Sequence, residues 1–194
     1  LGYYTEQGVV ARRGATPVEL IAELRTSATA RKADLDAAPP TDPAAPPPRT
    51  PGGVAWDTGT LLRNRPLDVW MHEQDLRAAI GHPGGLDTPG ARHTIGYFGE
   101  ALGRVLARGA EAPPGSSLVV EVSGYPPKAF AVTAEGRGAA LAEAPADPTV
   151  RLAMDVAAFV ELIGGRVPPG QAPVTVTGDA ELGQRVLAAM ALTP

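Results

Sequence analysis

Three polar residues in the first half of the chain have the types and spacing of a metal site. Asp68, His72 and Asp75 lie at positions i, i+4 and i+7, which places them on one stripe if the segment is helical. A carboxylate and an imidazole one helical turn apart can bind the same divalent ion. Asp68 and His72 are therefore predicted metal ligands, and Asp75 could orient His72. The alternative interpretation of Asp68 and His72 is a surface salt link.

Further candidate residues lie elsewhere, because two ligands alone hold a metal poorly. His82 lies in a Gly/Pro-rich loop and His93 near the start of a predicted helix, and both are expected to be exposed. Arg166 follows Gly164-Gly165 and could bind an anionic group of a substrate, or complete a helix C-terminus. The sequence has no Gly-x-Ser-x-Gly, P-loop or Rossmann glycine pattern.

Composition excludes several classes of protein. The 194 residues carry a formal net charge of −4 without a basic run, so nucleic acid is not expected as a partner. No apolar run is long enough to cross a bilayer, and no signal-peptide pattern opens the sequence, so a cytoplasmic location without membrane contact is expected. Because the chain has no cysteine, any thiol chemistry must use the sulfur of a small molecule.

The helix that carries the stripe is predicted from about Asn64 to Ile80 and is closed by Gly81. In that interpretation Asn64 caps the helix and Pro66 lies in its first turn, whereas a start near Thr60 would place Pro66 in the interior. Its apolar face is expected to contain Leu67, Trp70 and Met71.

Two more helices are predicted in the first part of the chain. One covers residues 16 to 37 and opens with the capping-box residues Thr16 and Glu19, and its apolar positions are Val18, Ile21 and Leu24. The other begins at Thr88-Pro89 and runs to about residue 108. Residues 37–53 hold seven prolines and are predicted to be a spacer in extended polyproline II conformation, the alternative being a ligand for a proline-binding domain.

The last third of the chain has the pattern of a small α+β domain. Strands are predicted at residues 118–122, 129–133, 150–154 and 174–177. Asp155 and Asp179 are predicted to cap two helices, the first of which ends at Gly164-Gly165. We predict a helical domain over residues 1–110 that contains the proline-rich linker, and an α+β domain over residues 111–194.

The segment from Leu67 to Gly81 resembles the mycothiol-dependent maleylpyruvate isomerase family of actinobacteria. The resemblance extends to Asp155–Arg166, to Val174–Leu182 and to the closing Leu192-Thr193-Pro194. It implies a DinB-like helical bundle that binds a metal, followed by an α+β domain of sterol-carrier type. In that family a histidine of the first helix completes a site with an acidic-x-x-x-His pair, which Asp68 and His72 match. Because the chain opens on Leu1 without a cap signal and lacks a counterpart of that histidine, its N-terminal part is expected to be incomplete.

The resemblance implies a function as well as a fold. A divalent metal, zinc in the first instance, would bind mycothiol and stabilise its thiolate. In maleylpyruvate isomerisation the thiolate adds to the cis double bond, the resulting single bond rotates, and the thiol leaves. Other family members look like thiol S-transferases, so either reaction on a small-molecule substrate is open.

Two alternatives to an enzyme remain from the sequence. The first is a binding module or carrier with an apolar cavity in the α+β domain, possible lining residues being Phe130, Leu152 and Phe159. The second is a degenerate family member that keeps the fold and acts through protein contacts.

Overall fold

The computed structural model describes residues 2–193, so Leu1 and the Pro194 that ends the closing motif lie outside the described residues. The chain divides into two compact units, residues 1–65 and residues 66–194. The boundary falls inside a helix, next to Pro66, where the proline ring removes one backbone donor. We call these parts the N-terminal unit and the C-terminal unit and describe each by itself.

The N-terminal unit consists of α1 (Gly2–Arg12), α2 (Pro17–Ala37), a 3₁₀ turn (Pro51–Gly53) and the first part of α3 (Thr58–Ala79). The predicted capping box is confirmed, because Glu19 N–H donates to Thr16 Oγ1 and Thr16 N–H donates to the Glu19 carboxylate at 2.8 Å. Helix α1 was not predicted. The apolar positions of α2 are exposed rather than buried, namely Val18, Ile21 and Leu24.

The proline-rich segment does more than separate two helices. It forms neither a helix nor a strand over residues 38–50, as predicted, whereas Pro51–Gly53 at its end forms a 3₁₀ turn that was not predicted. Its carbonyl groups accept hydrogen bonds from the start of α3: Thr58 N–H donates to Ala45 O at 2.9 Å, and Gly59 N–H donates to Pro43 O at 2.8 Å. These bonds satisfy backbone donors that a helix N-terminus leaves without partners.

Helix α3 begins earlier than the sequence analysis proposed. It starts at Thr58, where Asp57 Oδ1 accepts a hydrogen bond from Thr60 N–H at 2.7 Å. Asn64 is therefore an interior residue and not a cap, and Pro66 lies inside the helix, as the alternative start implied. The predicted end at Gly81 is confirmed: this residue has a φ of 64°. The next residue, His82, donates its N–H to Arg77 O at 2.9 Å, as in a Schellman C-cap.

The C-terminal unit places helices against one mixed sheet. After the second part of α3 come α4 (Pro89–Glu100), α5 (Leu102–Arg104) and a π-helical turn (Val105–Gly109). The remaining elements are β1 (Ser117–Val122), β2 (Lys128–Val132), β3 (Gly138–Ala140), β4 (Val150–Met154), α6 (Val156–Ile163), a 3₁₀ turn (Pro169–Gln171), β5 (Thr175–Gly178) and α7 (Ala180–Ala188). The sheet order is β3-β2-β1-β4-β5, with β1 and β4 parallel and the other pairs antiparallel.

This arrangement confirms the α+β class of the C-terminal part. The four predicted strands correspond to β1, β2, β4 and β5, and only β3 was missed. Asp155 and Asp179 cap α6 and α7 as predicted, through hydrogen bonds of 2.8 and 2.9 Å from Ala158 N–H and Leu182 N–H. The DinB-like bundle of the N-terminal part stays a prediction.

The core of the C-terminal unit joins the sheet to the helices before it. Leu67, Trp70 and Met71 of α3 are each 3% exposed and belong to the same buried cluster as Leu118 and Phe159. The compact unit therefore begins at residue 66, upstream of the predicted boundary between residues 110 and 111. That boundary, which separates two domain types, stays a prediction.

Among residues 2–193 no helix is both long enough and apolar enough to span a bilayer. The cytoplasmic location stays a prediction from composition.

Candidate functional site

The second part of α3 has one buried face and one polar face. On the buried face, Trp70 Nε1 donates a hydrogen bond to Gly85 O at 3.3 Å, which ties the helix to the loop that follows it. On the polar face lie Asp68, His72 and Asp75. Burial of Leu67, Trp70 and Met71 fixes the rotation of the helix and thereby the direction of the polar stripe.

His72 lies between the two carboxylates. Its Nδ1 is 3.1 Å from Asp75 Oδ2, within hydrogen-bond distance, and its Nε2 is 3.8 Å from Asp68 Oδ1, beyond that distance. The His72 side chain is 67% exposed. When Asp75 is ionised, Nδ1 must carry the proton that it shares with this carboxylate, so the lone pair of neutral His72 is on Nε2.

Arg166 holds Asp75 from the other side. Its Nε donates to Asp75 Oδ1 at 3.0 Å and its Nη2 donates to Asp75 Oδ2 at 2.9 Å, a two-bond fork. Its Nη1 donates to Gly164 O and, at 2.9 Å, to Thr193 Oγ1, which in turn donates to Gly164 O at 2.9 Å. Four of its five N–H groups therefore have acceptors among the described residues.

The backbone at the end of α6 places Arg166 next to Asp75. Gly165 has a φ of 67°, which favours glycine, and its N–H donates to Leu162 O at 3.0 Å. Arg166 N–H donates to Glu161 O at 2.8 Å, which completes a Schellman motif. A Cβ on Gly164 would lie 2.5 Å from Met71 Cε and 2.8 Å from Val160 O, so a larger residue would require these atoms to move.

The fork has an electrostatic consequence. The hydrogen bond from Arg166, and after it the one from His72, holds the pKa of Asp75 below its ordinary value against the opposing effect of burial. Asp75 therefore stays ionised at neutral pH and can keep accepting from His72. The result is a chain of three side chains, His72–Asp75–Arg166, that orients the imidazole.

The structure brings together the four predicted site residues without completing a metal centre. Among residues 2–193 no group of three or more His, Cys, Asp or Glu side chains is arranged to hold a metal ion. His82 is exposed, as expected, and His93 is half-buried with its ring stacked on that of Tyr97 at 6.2 Å between centroids. The assignment of Asp68 and His72 as ligands stays a prediction.

Sequence reasoning missed the partnership between Arg166 and Asp75 and the contribution of Thr193. Asp75 and Arg166 are 91 positions apart, so no spacing rule connects them. The Gly-Gly-Arg run at the end of α6 is a local signal, since a left-handed glycine after a helix fixes the direction of the next residue. The run predicts the direction in which the chain leaves α6 at Arg166. It does not predict which acceptor the guanidinium group contacts.

One cavity of the C-terminal unit includes a residue that the sequence analysis named for the carrier alternative. One cavity of about 210 Å³ is lined by Phe159 together with Ile95, Leu102 and Val120. Phe130 and Leu152, the other predicted lining residues, are buried but do not line it. Small-molecule sites usually measure about 300–1,000 Å³. This cavity is therefore smaller than the predicted site for a hydrophobic ligand requires.

A larger cavity lies within the N-terminal unit. It measures about 680 Å³ and is lined by the proline-rich segment, α2 and the first part of α3. Its wall includes the arginines Arg31, Arg49 and Arg65 beside the acids Asp34 and Asp42. The segment predicted to be a spacer thus forms one wall of a volume that a small molecule could occupy.

Comparison with known proteins confirms the family resemblance for the first part of the chain. Residues 2–77 match the family described as mycothiol maleylpyruvate isomerase N-terminal domain. This range contains α1, α2 and most of α3, including the polar stripe. No match to a curated protein was found.

Several solved structures are distantly similar to about half of this chain. One is titled UbiJ-SCP2 ubiquinone synthesis protein: identity is 19%, coverage is 54% of this chain and 98% of that chain, and the TM-score is 0.36. Another is sterol carrier protein 2 like 2 from Aedes aegypti, with 17% identity, 50% and 95% coverage and a TM-score of 0.34. A third, sterol carrier protein domain 2 of Helicoverpa armigera, has 16% identity, 58% and 96% coverage and a TM-score of 0.36. Likenesses this weak carry no information about ligands.

Proposed function

We propose that this protein is a metal-dependent enzyme that uses mycothiol as its thiol cosubstrate, either an isomerase of the maleylpyruvate type or a thiol S-transferase. The match of residues 2–77 to the mycothiol maleylpyruvate isomerase N-terminal domain supports the thiol. The observation that carries the proposal is the oriented imidazole, with Nδ1 of His72 held by Asp75 at 3.1 Å and Nε2 directed away from that carboxylate.

Asp68 and His72 fit two positions of the coordination shell of a divalent ion. Ligand atoms about 2.1 Å from a tetrahedral zinc ion lie about 3.4 Å from one another. The Asp68 Oδ1 and His72 Nε2 atoms are 3.8 Å apart, so a small rotation of either side chain brings them to that separation. A catalytic zinc site usually has three protein ligands. The third ligand must come from outside this pair.

A bound divalent metal would lower the pKa of a thiol that coordinates it and so supply a nucleophilic sulfur near neutral pH. The side chains of the protein have separate tasks. Asp75 holds the proton of His72 on Nδ1 and thereby presents the Nε2 lone pair. Arg166 keeps Asp75 ionised and fixed in position.

Arg166 has a second proposed role. The sequence analysis assigned it to an anionic group of the substrate, and its remaining Nη2 donor is directed by the same fork that holds Asp75. We propose that Arg166 acts first as a positioning residue for Asp75. Contact with a substrate carboxylate would use that remaining donor.

Elemental analysis of the purified protein beside a His72→Ala variant tests the metal site. We expect about one zinc per chain in the unchanged protein. The metal should be lost in His72→Ala and in Asp68→Ala, because each substitution removes one of the ligands. Glu143→Ala is the control, since it removes an exposed carboxylate outside the stripe. Stoichiometric metal that survives His72→Ala would exclude the assignment.

A further inference from the structure

A shallow groove in the C-terminal unit collects positive charge. It has a volume of about 710 Å³ and is lined by Arg104, Arg108, Arg137, Val105, Gly109, Gly138, Ala189 and Leu192. Three of these residues are arginines and none is acidic. The sequence shows no basic run at these positions, so the fold assembles this cluster.

Close backbone packing brings the three arginines together. Arg104 is the last residue of α5, Arg108 lies four positions later in the π-helical turn, and Arg137 lies in the turn between β2 and β3. The turn is pressed against the helix, because a Cβ on Gly138 would lie only 1.9 Å from Gly103 O. The hairpin is fixed by a hydrogen bond of 2.8 Å from Thr133 N–H to Arg137 O.

These three guanidinium groups differ from other arginines of the unit. Within residues 2–193, the side chains of Arg104, Arg108 and Arg137 make no hydrogen bond or ion pair, and all three residues are exposed. By contrast, the guanidinium groups of four arginines are paired with carboxylates, namely Arg77, Arg151, Arg166 and Arg185. Like charges gathered without a counter-charge repel one another, so the groove has an electrostatic preference for an anion.

The backbone beside the groove is also unusual. Val105–Gly109 forms a π-helical turn, in which Ala110 N–H donates to Val105 O at 2.8 Å. Such turns are rare and occur frequently at functional sites. This one is held in place by Arg185, whose Nε donates to Ala110 O at 3.0 Å. A Cβ on Gly109 would lie 2.6 Å from Ala189 Cβ, so the turn also packs closely on the residue that follows α7.

We propose that this groove binds the phosphate group of a small soluble molecule, a phosphate monoester or a diphosphate. Guanidinium groups form two parallel hydrogen bonds with phosphate oxygens, and three of them match a group with two or more negative charges. The groove is too small and holds too few cations for the long basic face of a nucleic-acid-binding protein. The proposal goes beyond the thiol-dependent reaction and does not depend on the metal.

Titration calorimetry with sodium pyrophosphate at constant ionic strength tests the site on the full chain. We expect saturable binding of one pyrophosphate per chain, weakened about tenfold or more in Arg108→Gln, because each lost guanidinium removes charge-assisted hydrogen bonds. Arg137→Gln is the second variant, since this residue lies in an exposed turn and its substitution leaves the helix intact. Arg25→Gln is the matched control, because it removes one exposed positive charge in α2, outside the groove.

The outcomes separate the sources of the phosphate. Binding that is weakened in Arg108→Gln and Arg137→Gln but not in Arg25→Gln supports the proposal. If vesicles containing phosphatidic acid bind with the same dependence and pyrophosphate competes, the site still recognises phosphate but on a lipid headgroup. Equal weakening in all three variants, no measurable binding of pyrophosphate, or binding of an oligonucleotide alone would overturn the proposal.

Discussion

The fork between Arg166 and Asp75 gives a prediction about stability and its dependence on pH. Asp75→Asn keeps the shape of the side chain but removes its charge. A single hydrogen bond to a charged group contributes about 1.5–3 kcal/mol. The Asp75 side chain is 38% exposed and that of Arg166 is 26% exposed, so solvent screening reduces this contribution. We expect the variant to lose about 1 kcal/mol of unfolding free energy at pH 7.

The sign of the pH dependence follows from the depressed pKa of Asp75. Stability from this carboxylate is present above its ordinary value of 3.8 and is lost as the pH falls through the lower value of the folded state. The difference between the unchanged protein and Asp75→Asn should therefore shrink between pH 5 and about pH 3. At neutral pH it should be constant.

Urea unfolding followed by tryptophan fluorescence measures the effect in the relevant unit. The chain has two tryptophans, and Trp70 is buried beside the site. All variants are therefore made in a Trp56→Phe background, in which the fluorescence comes from Trp70 alone. Glu73→Gln is the matched control on the same helix. It breaks the partly buried i,i+4 pair with Arg77 and should cost only about 0.3–0.5 kcal/mol.

A double-mutant cycle with Arg166→Met completes the test. The coupling between the two substitutions should account for most of the loss in Asp75→Asn, because the fork is the principal cause of the lowered pKa. A loss as large at pH 3 as at pH 7, or a coupling near zero, would refute the reasoning.

Two further predictions concern the scaffold. Gly138→Ala should destabilise the C-terminal unit by about 2–4 kcal/mol, since its Cβ would overlap Gly103 O, whereas Gly170→Ala, with open space around it, should be nearly neutral in the same urea titration. Asp155→Ala should cost about 1 kcal/mol by removing the cap of α6, and Asp155→Asn should restore most of it, because asparagine also accepts the hydrogen bond from Ala158 N–H. If Asp155→Asn melts no higher than Asp155→Ala, capping is not the source of the loss.

Local signals predicted the helix ends well. Thr16, Asp155 and Asp179 accept hydrogen bonds from the first turns of their helices, and Gly81 ends α3 with a positive φ. These features depend on a few consecutive residues, so the sequence contains all of the information they require. The start of α3 was wrong because Asn64 and Asp57 are both good caps, and only the packing of the proline-rich segment on the helix distinguishes them.

Strand β3 was missed for a different reason. Its three residues, Gly138–Ala140, have no alternating apolar pattern and gain their strand conformation by pairing with β2. An edge strand this short depends on its neighbour rather than on its own propensity.

The sequence by itself determined the stripe of Asp68, His72 and Asp75, because helical spacing alone puts residues at i, i+4 and i+7 on one side. Tertiary structure decided which partners from distant parts of the chain these residues contact. It brought Arg166 to Asp75 across 91 positions, and it gathered Arg104, Arg108 and Arg137 into one groove. Both results depend on non-local packing of α6 and of the β2–β3 turn against earlier helices. Such packing is set by the free energy of the whole buried core, which no short stretch of sequence contains.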